Sequence, residues 1–265
     1  MPDIRVEQNG RVLVMAVDRP RARNALAAST MEELDGQLAA LETREDVHCA
    51  VITGTGERAF ISGGDLRELE SRRDETFAAS MAHSMRASLD RIAALPIPVI
   101  AAINGAALGG GAEVAIACDF RIACDDARIG FTQALLGLIP AWGGIERLAA
   151  AAGRSRALYL LTTGRTLSGE EAVAWGLVEE SVPRADFEMR WRELAREVAS
   201  APRHVLAGLK AAMQAAHPGS RPDLAGAAVA SFARAWSDPR HWEMAAARER
   251  LRQARKQSSG ETPGA

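Results

Sequence analysis

Cysteine is scarce in this sequence. Cys49, Cys118 and Cys124 are the only three in 265 residues, too few for a disulfide framework and not at metal-ligand spacing. Each sits in an apolar run, where a free thiol behaves as a small buried hydrophobe. An excess of one charge is missing too: 32 Lys and Arg stand against 34 Asp and Glu, for a net charge of −2. No global positive field therefore recruits nucleic acid or an anionic membrane, and a polyanionic ligand has to be met by local arginines. The longest apolar run, Pro98 to Ala112, is broken by Asn104 and several glycines and does not read as a membrane span. Met1 to Asn9 carries Asp3, Arg5 and Glu7 in place of a basic-then-apolar signal pattern. His48, His83, His204, His217 and His241 lack the spacing of a metal site or a nucleophile triad. These absences lead to the expectation of a cytoplasmic protein with neither nucleic-acid nor membrane partners and no resident metal.

What is present is a chain with 48% hydrophobic and 25% charged residues, long enough for a sizeable core. Val12 to Val17, Val47 to Thr53 and Val99 to Ile103 read as buried strands. Helices are predicted around Met31 to Leu41 and over Glu75 to Leu95, with a short apolar one over Ala112 to Cys118. Phe120 to Ala123, Ala127 to Phe131 and Leu177 to Val182 read as further short strands. Alternating strands and helices with short turns predict an α/β architecture. Ser168-Gly-Glu-Glu171 reads as a capping box. Beyond Pro202 the sequence predicts three helices, interrupted near His217-Pro218-Gly219 and Asp238-Pro239, then a polar tail from Ser258 to Ala265. The expected division is a core over 1–200 and a helical region over 201–265.

Two glycine turns carry the chemistry. In Arg58-Ala59-Phe60-Ile61-Ser62-Gly63-Gly64-Asp65-Leu66, paired glycines precede Asp65, which is placed to cap a helix with Glu68 closing the box. In Asn104-Gly-Ala-Ala-Leu-Gly109-Gly110-Gly111-Ala112-Glu113, three glycines stand between a strand and a helix, where a ligand can approach the backbone closely. Glu113 is followed by apolar residues through Cys118. Desolvation there is expected to raise its pKa, unless it pairs with an arginine such as Arg121 or Arg147. Amides from the two turns could serve one oxyanion, each such donor being worth about 3–4 kcal/mol.

Together with Asn24-Ala25-Leu26 and Leu136-Gly137-Leu138-Ile139-Pro140-Ala141-Trp142-Gly143-Gly144, these turns resemble the enoyl-CoA hydratase/isomerase (crotonase) superfamily over about Val12 to Val182. The resemblance implies a spiral of ββα units, a helical C-terminal trimerisation region and acyl-CoA thioester substrates. Coenzyme A would enter as part of the substrate, not as a bound cofactor. It implies an oxyanion hole from the Gly64 and Gly110 amides, beside Gly63 and Gly109, with Glu113 as an acid–base group. By the same resemblance Arg58, Ala59, Ser62, Asp65 and Leu66 lie along the CoA, Arg67 near its nucleotide, and Arg21 and Arg23 at its phosphates.

One position departs from the hydratase pattern. The second glutamate of that pattern falls on Gln133, and an amide orients water but has no proton to give at neutral pH. Phe60 to Leu66, Gly109 to Glu113, Ala117 to Arg121 and Gly137 to Gly144 are similar to the ethylmalonyl-CoA/methylmalonyl-CoA decarboxylase branch. Decarboxylation of a short branched malonyl-type thioester is therefore the leading expectation, with Trp142 and Phe131 as an apolar wall. Hydration or isomerisation through Glu113, and a non-catalytic acyl-CoA- or RNA-binding member, are the alternatives. Phe232, Trp236, Trp242 and Met244 predict an apolar face too large to leave in water, and the family resemblance implies assembly into a homotrimer or hexamer.

Overall fold

A computed structural model describes residues 2–216 and 222–258. β1 (Ile4–Asn9) and β2 (Val12–Val17) form an antiparallel hairpin, with Asn9 opposite Val12 across Gly10-Arg11. After α1 (Ala28–Leu41), a two-strand unit begins and then recurs. Its first copy is β3 (Cys49–Gly54), β4 (Ala59–Ile61), α2 (Leu66–Leu69) and α3 (Glu75–Ala94). The second is β5 (Val99–Ile103), β6 (Ala106–Leu108) and α4 (Gly110–Ala117). The third is β7 (Phe120–Cys124), β8 (Arg128–Gly130), a 3-10 turn at Gln133–Leu136 and α5 (Gly144–Ala152).

In every unit the first strand joins one sheet and the second joins another. The larger sheet runs β1-β2-β3-β5-β7-β9 and the smaller β4-β6-β8, parallel throughout except for the hairpin. This is the expected α/β spiral of ββα units. β3 and β5 are buried along their whole length, so they read as continuous apolar runs instead of alternating ones. β1 gave no such signal because five of its six residues are exposed, and its charges protect a sheet edge.

The remainder comprises α6 (Arg154–Thr163), α7 (Gly169–Ala174), β9 (Glu180–Val182), α8 (Arg184–Ala199), α9 (Arg203–Ala216), α10 (Pro222–Ser237) and α11 (Pro239–Ser258). The capping box at α7 forms as predicted: Glu171 N–H donates to Ser168 Oγ at 3.1 Å, and Ser168 N–H to Glu171 Oε2 at 2.9 Å. The one at Asp65 does not. Asp65 instead meets Arg19 Nη2 at 3.0 Å, and Glu68 accepts from the Ala28 N–H across the loop. The break at His217-Pro218-Gly219 and the tail beyond Ser258 lie outside the described residues.

The C-terminal helices correct another expectation. Phe232, Trp236 and Trp242 are buried within their own chain, and α10 packs on α3. Trp236 Nε1–H donates to the Arg72 carbonyl at 2.8 Å, and Trp242 Nε1–H to the Trp236 carbonyl at 2.9 Å. Of that apolar set only Met244 stays exposed, so these aromatics complete the core and do not argue for assembly. Val229, Phe232, Ala233, Trp236 and Trp242 belong to the same hydrophobic core as the strands and helices before residue 201.

Candidate active site

The smaller sheet delivers both glycine turns to one place. β4 ends at Ile61 and leads into Ser62-Gly63-Gly64; β6 ends at Leu108 and leads into Gly109-Gly110. Leu26 and Gly64 form a parallel bridge, in which Leu26 N–H donates to Gly63 O and Asp65 N–H donates to Leu26 O, both at 2.8 Å. In such a bridge the polar groups of Gly64 itself point the other way. Gly110 opens α4, so its N–H belongs to the first turn and has no intrahelical acceptor. Both glycines line a cavity of about 100 Å³. A side chain at Gly110 would fall 2.2 Å from the Trp142 ring, which explains why only glycine fits there.

Glu113, one turn into α4, faces the same cavity and is 2% exposed. Its Oε1 accepts from Trp142 N–H at 2.9 Å and from Gly144 N–H at 3.0 Å, the latter at the start of α5. Its Oε2 accepts from Gln133 Nε2 at 2.9 Å. Burial pushes the carboxyl up to about 7, against the opposing pull of the Gly144 and Trp142 amides, Gln133 and Arg147. Neither suggested arginine neutralises it directly: Arg121 pairs with Glu179, while Arg147 donates to the Trp142 carbonyl and pairs with Asp90. One oxygen is thus held by the backbone, and the other meets only an amide. Gln133 Oε1 is buried without a hydrogen-bond partner among the described residues. Glu113 is the only ionisable side chain on the cavity wall among those residues.

Of the sequence-derived candidates, Ser62, Gly63, Gly64, Leu66, Gly109, Gly110, Glu113, Gln133 and Trp142 border this cavity. Phe131 does not; it is 2% exposed and lies in the core, so the aromatic wall consists of Trp142 with Phe232 and Trp236. Ala59 is enclosed in β4, and its carbonyl already accepts from Asn24 and Asn104, which removes it from ligand contact. Asp65 is turned away to Arg19.

Arg23, Arg58 and Arg67 converge outside the cavity, joined by Arg252 of α11. The Arg23 guanidinium is lowered to about 10, first by burial and then by repulsion from Arg252, Arg58 and Arg67, with Glu249 opposing. Arg21 is exposed on the 3-10 turn at Pro20–Ala22 and is not among the charges that bear on Arg23. Sequence reasoning missed Arg252 and Glu249 because Glu249 lies 182 residues from its partner Arg67. It also missed Phe232 and Trp236 as cavity residues, having assigned them to a surface.

The family model described as Enoyl-CoA hydratase/isomerase matches residues 7–235. The chain therefore belongs to the enoyl-CoA hydratase/isomerase family. It is 35% identical over 198 residues to the short-chain-enoyl-CoA hydratase of Clostridium acetobutylicum, covering 74% of each chain. An enoyl-CoA hydratase structure from Bacillus anthracis superposes with a TM-score of 0.79 at 32% identity, covering 99% of this chain and 98% of that one. One from Mycobacterium avium subsp. paratuberculosis K-10 gives 0.85 at 26% identity, covering 93% and 98%. Among the described residues no helix is long and apolar enough to cross a membrane.

Proposed function

We propose that this enzyme hydrates a 2-enoyl-CoA thioester, with Glu113 as its sole acid–base group. The observation that carries the reading is the single carboxyl: Oε1 is held by two backbone amides, and Oε2 faces the cavity beside the Gln133 amide. The thioester oxygen accepts from the Gly64 and Gly110 amides, so electron density pushed into it is stabilised as an enolate. Gln133 and Glu113 hold a water at C3. Oε2 takes one proton as the water oxygen bonds to C3, and the C2–C3 π pair moves into the enolate. The same Oε2 then returns its proton to C2, so one water is added and Glu113 is restored. A carboxyl with a pKa of about 7 is suited to both halves of that exchange at neutral pH. The convergent Arg23, Arg58, Arg67 and Arg252 supply positive charge for the CoA phosphates.

This ordering reverses the leading sequence expectation. The three relatives above are named as hydratases, and one carboxyl suffices when it both takes and returns the proton. Decarboxylation of a malonyl-type thioester is the second reading, favoured by Gln133 standing where the hydratase pattern has a second carboxyl. Incubation with crotonyl-CoA and, separately, methylmalonyl-CoA distinguishes the two. Conversion of crotonyl-CoA to a product heavier by one water supports hydration. Loss of CO2 from methylmalonyl-CoA without any hydration overturns it.

A further inference from the structure

We propose that Glu249 is a built-in competitor for the phosphates of CoA, an internal carboxylate that occupies the arginine cluster and is displaced when the thioester binds. The inference rests on the CoA reading given above and deepens it.

α11 carries Glu249 to the arginine cluster. Glu249 Oε1 meets Arg67 Nη2 at 3.0 Å, and its Oε2 meets Arg252 Nη1 at 3.2 Å; Gln253 Nε2 also donates to Oε1 at 3.3 Å. Four guanidiniums, those of Arg23, Arg58, Arg67 and Arg252, act on this region, and among the described residues Glu249 is the carboxylate whose charge counters them at Arg23. Such an excess of one sign repels itself and is relieved by a polyanion. Glu68, on the same short helix as Arg67, is engaged elsewhere by the Ala28 N–H.

The helix that carries Glu249 is fixed at its other end. His241 Nδ1 lies 2.7 Å from the Leu136 carbonyl, and Trp242 is buried against Trp236. Leu136 and Trp236 both line the reaction cavity, so α11 runs from the cavity wall to the arginine cluster. Leu66, the neighbour of Arg67, lines the same cavity. A thioester with its acyl group in the cavity therefore carries its phosphates toward the guanidiniums that Glu249 holds.

Phosphate offers more charge and more acceptor oxygens than a carboxylate, so it wins the exchange, but the lost Glu249 bonds weaken its grip. The consequence is looser CoA binding and faster release of the hydroxyacyl-CoA thioester product.

The test measures free CoA binding by calorimetry to the wild-type enzyme, Glu249→Gln and Glu249→Ala, with an S-acyl pantetheine lacking phosphates as control. The expected result is about two- to fivefold tighter CoA binding in both variants, matching the strength of a partly exposed ion pair, with pantetheine affinity unchanged. CoA binding that is unchanged or weaker in the variants overturns the proposal while leaving the CoA reading standing. Equal tightening for pantetheine overturns it as well, since the effect would then not act through phosphate. Wild-type enzyme that fails to bind CoA overturns both.

Discussion

The two ends of the site are built in opposite ways. At the carboxyl corner, Glu113 is enclosed and held by two backbone amides and one buried amide side chain. At the rim, Arg67 is 82% exposed and Glu249 33% exposed, and they meet through long side chains alone. Backbone donors set by helix starts fix an atom's position closely, as proton transfer requires. Flexible, solvated ion pairs fix little, yet they exchange partners readily, as repeated binding and release of a phosphate-bearing substrate requires. Rigidity sits where bonds change, and looseness where the carrier is gripped.

The strongest way to break this contrast is to disable the corner. Glu113→Gln is expected to lower kcat for crotonyl-CoA by about 10²- to 10⁴-fold with little change in CoA affinity, measured by steady-state kinetics and calorimetry. Retained turnover would remove Glu113 from the chemistry. The same variant probes stability. A carboxyl raised from 4.5 to about 7 binds more protons folded than unfolded, so wild-type stability falls as pH rises between those values. The penalty is about 3 kcal/mol above pH 7. Glu113→Gln does not titrate there, so denaturant titrations should show it gaining about that much on wild type between pH 4 and pH 8.

Displacing the carboxyl without removing it is a milder break. A methyl at Gly144 would fall 2.6 Å from Glu113 Cγ, so Gly144→Ala is expected to lower kcat about 100-fold while leaving the group titratable. The smallest effects belong to the rim. Arg23→Ala or Arg252→Ala should each raise KM for crotonyl-CoA about tenfold, less at high salt, with kcat nearly unchanged. A kcat effect as large as that of Gly144→Ala would mean that the rim, too, positions reacting atoms.

The same contrast governs how much the sequence revealed. Glu113 stood out as a lone carboxylate entering an apolar helix, and burial enforces that pattern locally. The glycine turns were legible because Gly110 leaves no space for a side chain beside Trp142, while Gly63 and Gly109 adopt the positive φ that favours glycine. Asp65 misled because its capping signal was local while its real partner, Arg19, comes from another loop. Phe232 and Trp236 misled because an apolar helix face reads alike whether its own core or a partner covers it. β1 was not legible, because five of its six residues are exposed and too polar to show a pattern. Arg252 and Glu249 left no trace, since solvated charges on a C-terminal helix read as ordinary surface until folding brings them to Arg67.

The central claim is that one carboxyl, tuned by burial, takes and returns the proton. The pH dependence of kcat/KM for crotonyl-CoA hydration by the wild-type enzyme tests it most directly. The account predicts a rise with pH through a single ionisation near 7 to a plateau, because Glu113 must be ionised to accept the water proton. A rate already at its plateau at pH 5, unchanged to pH 8, would contradict it.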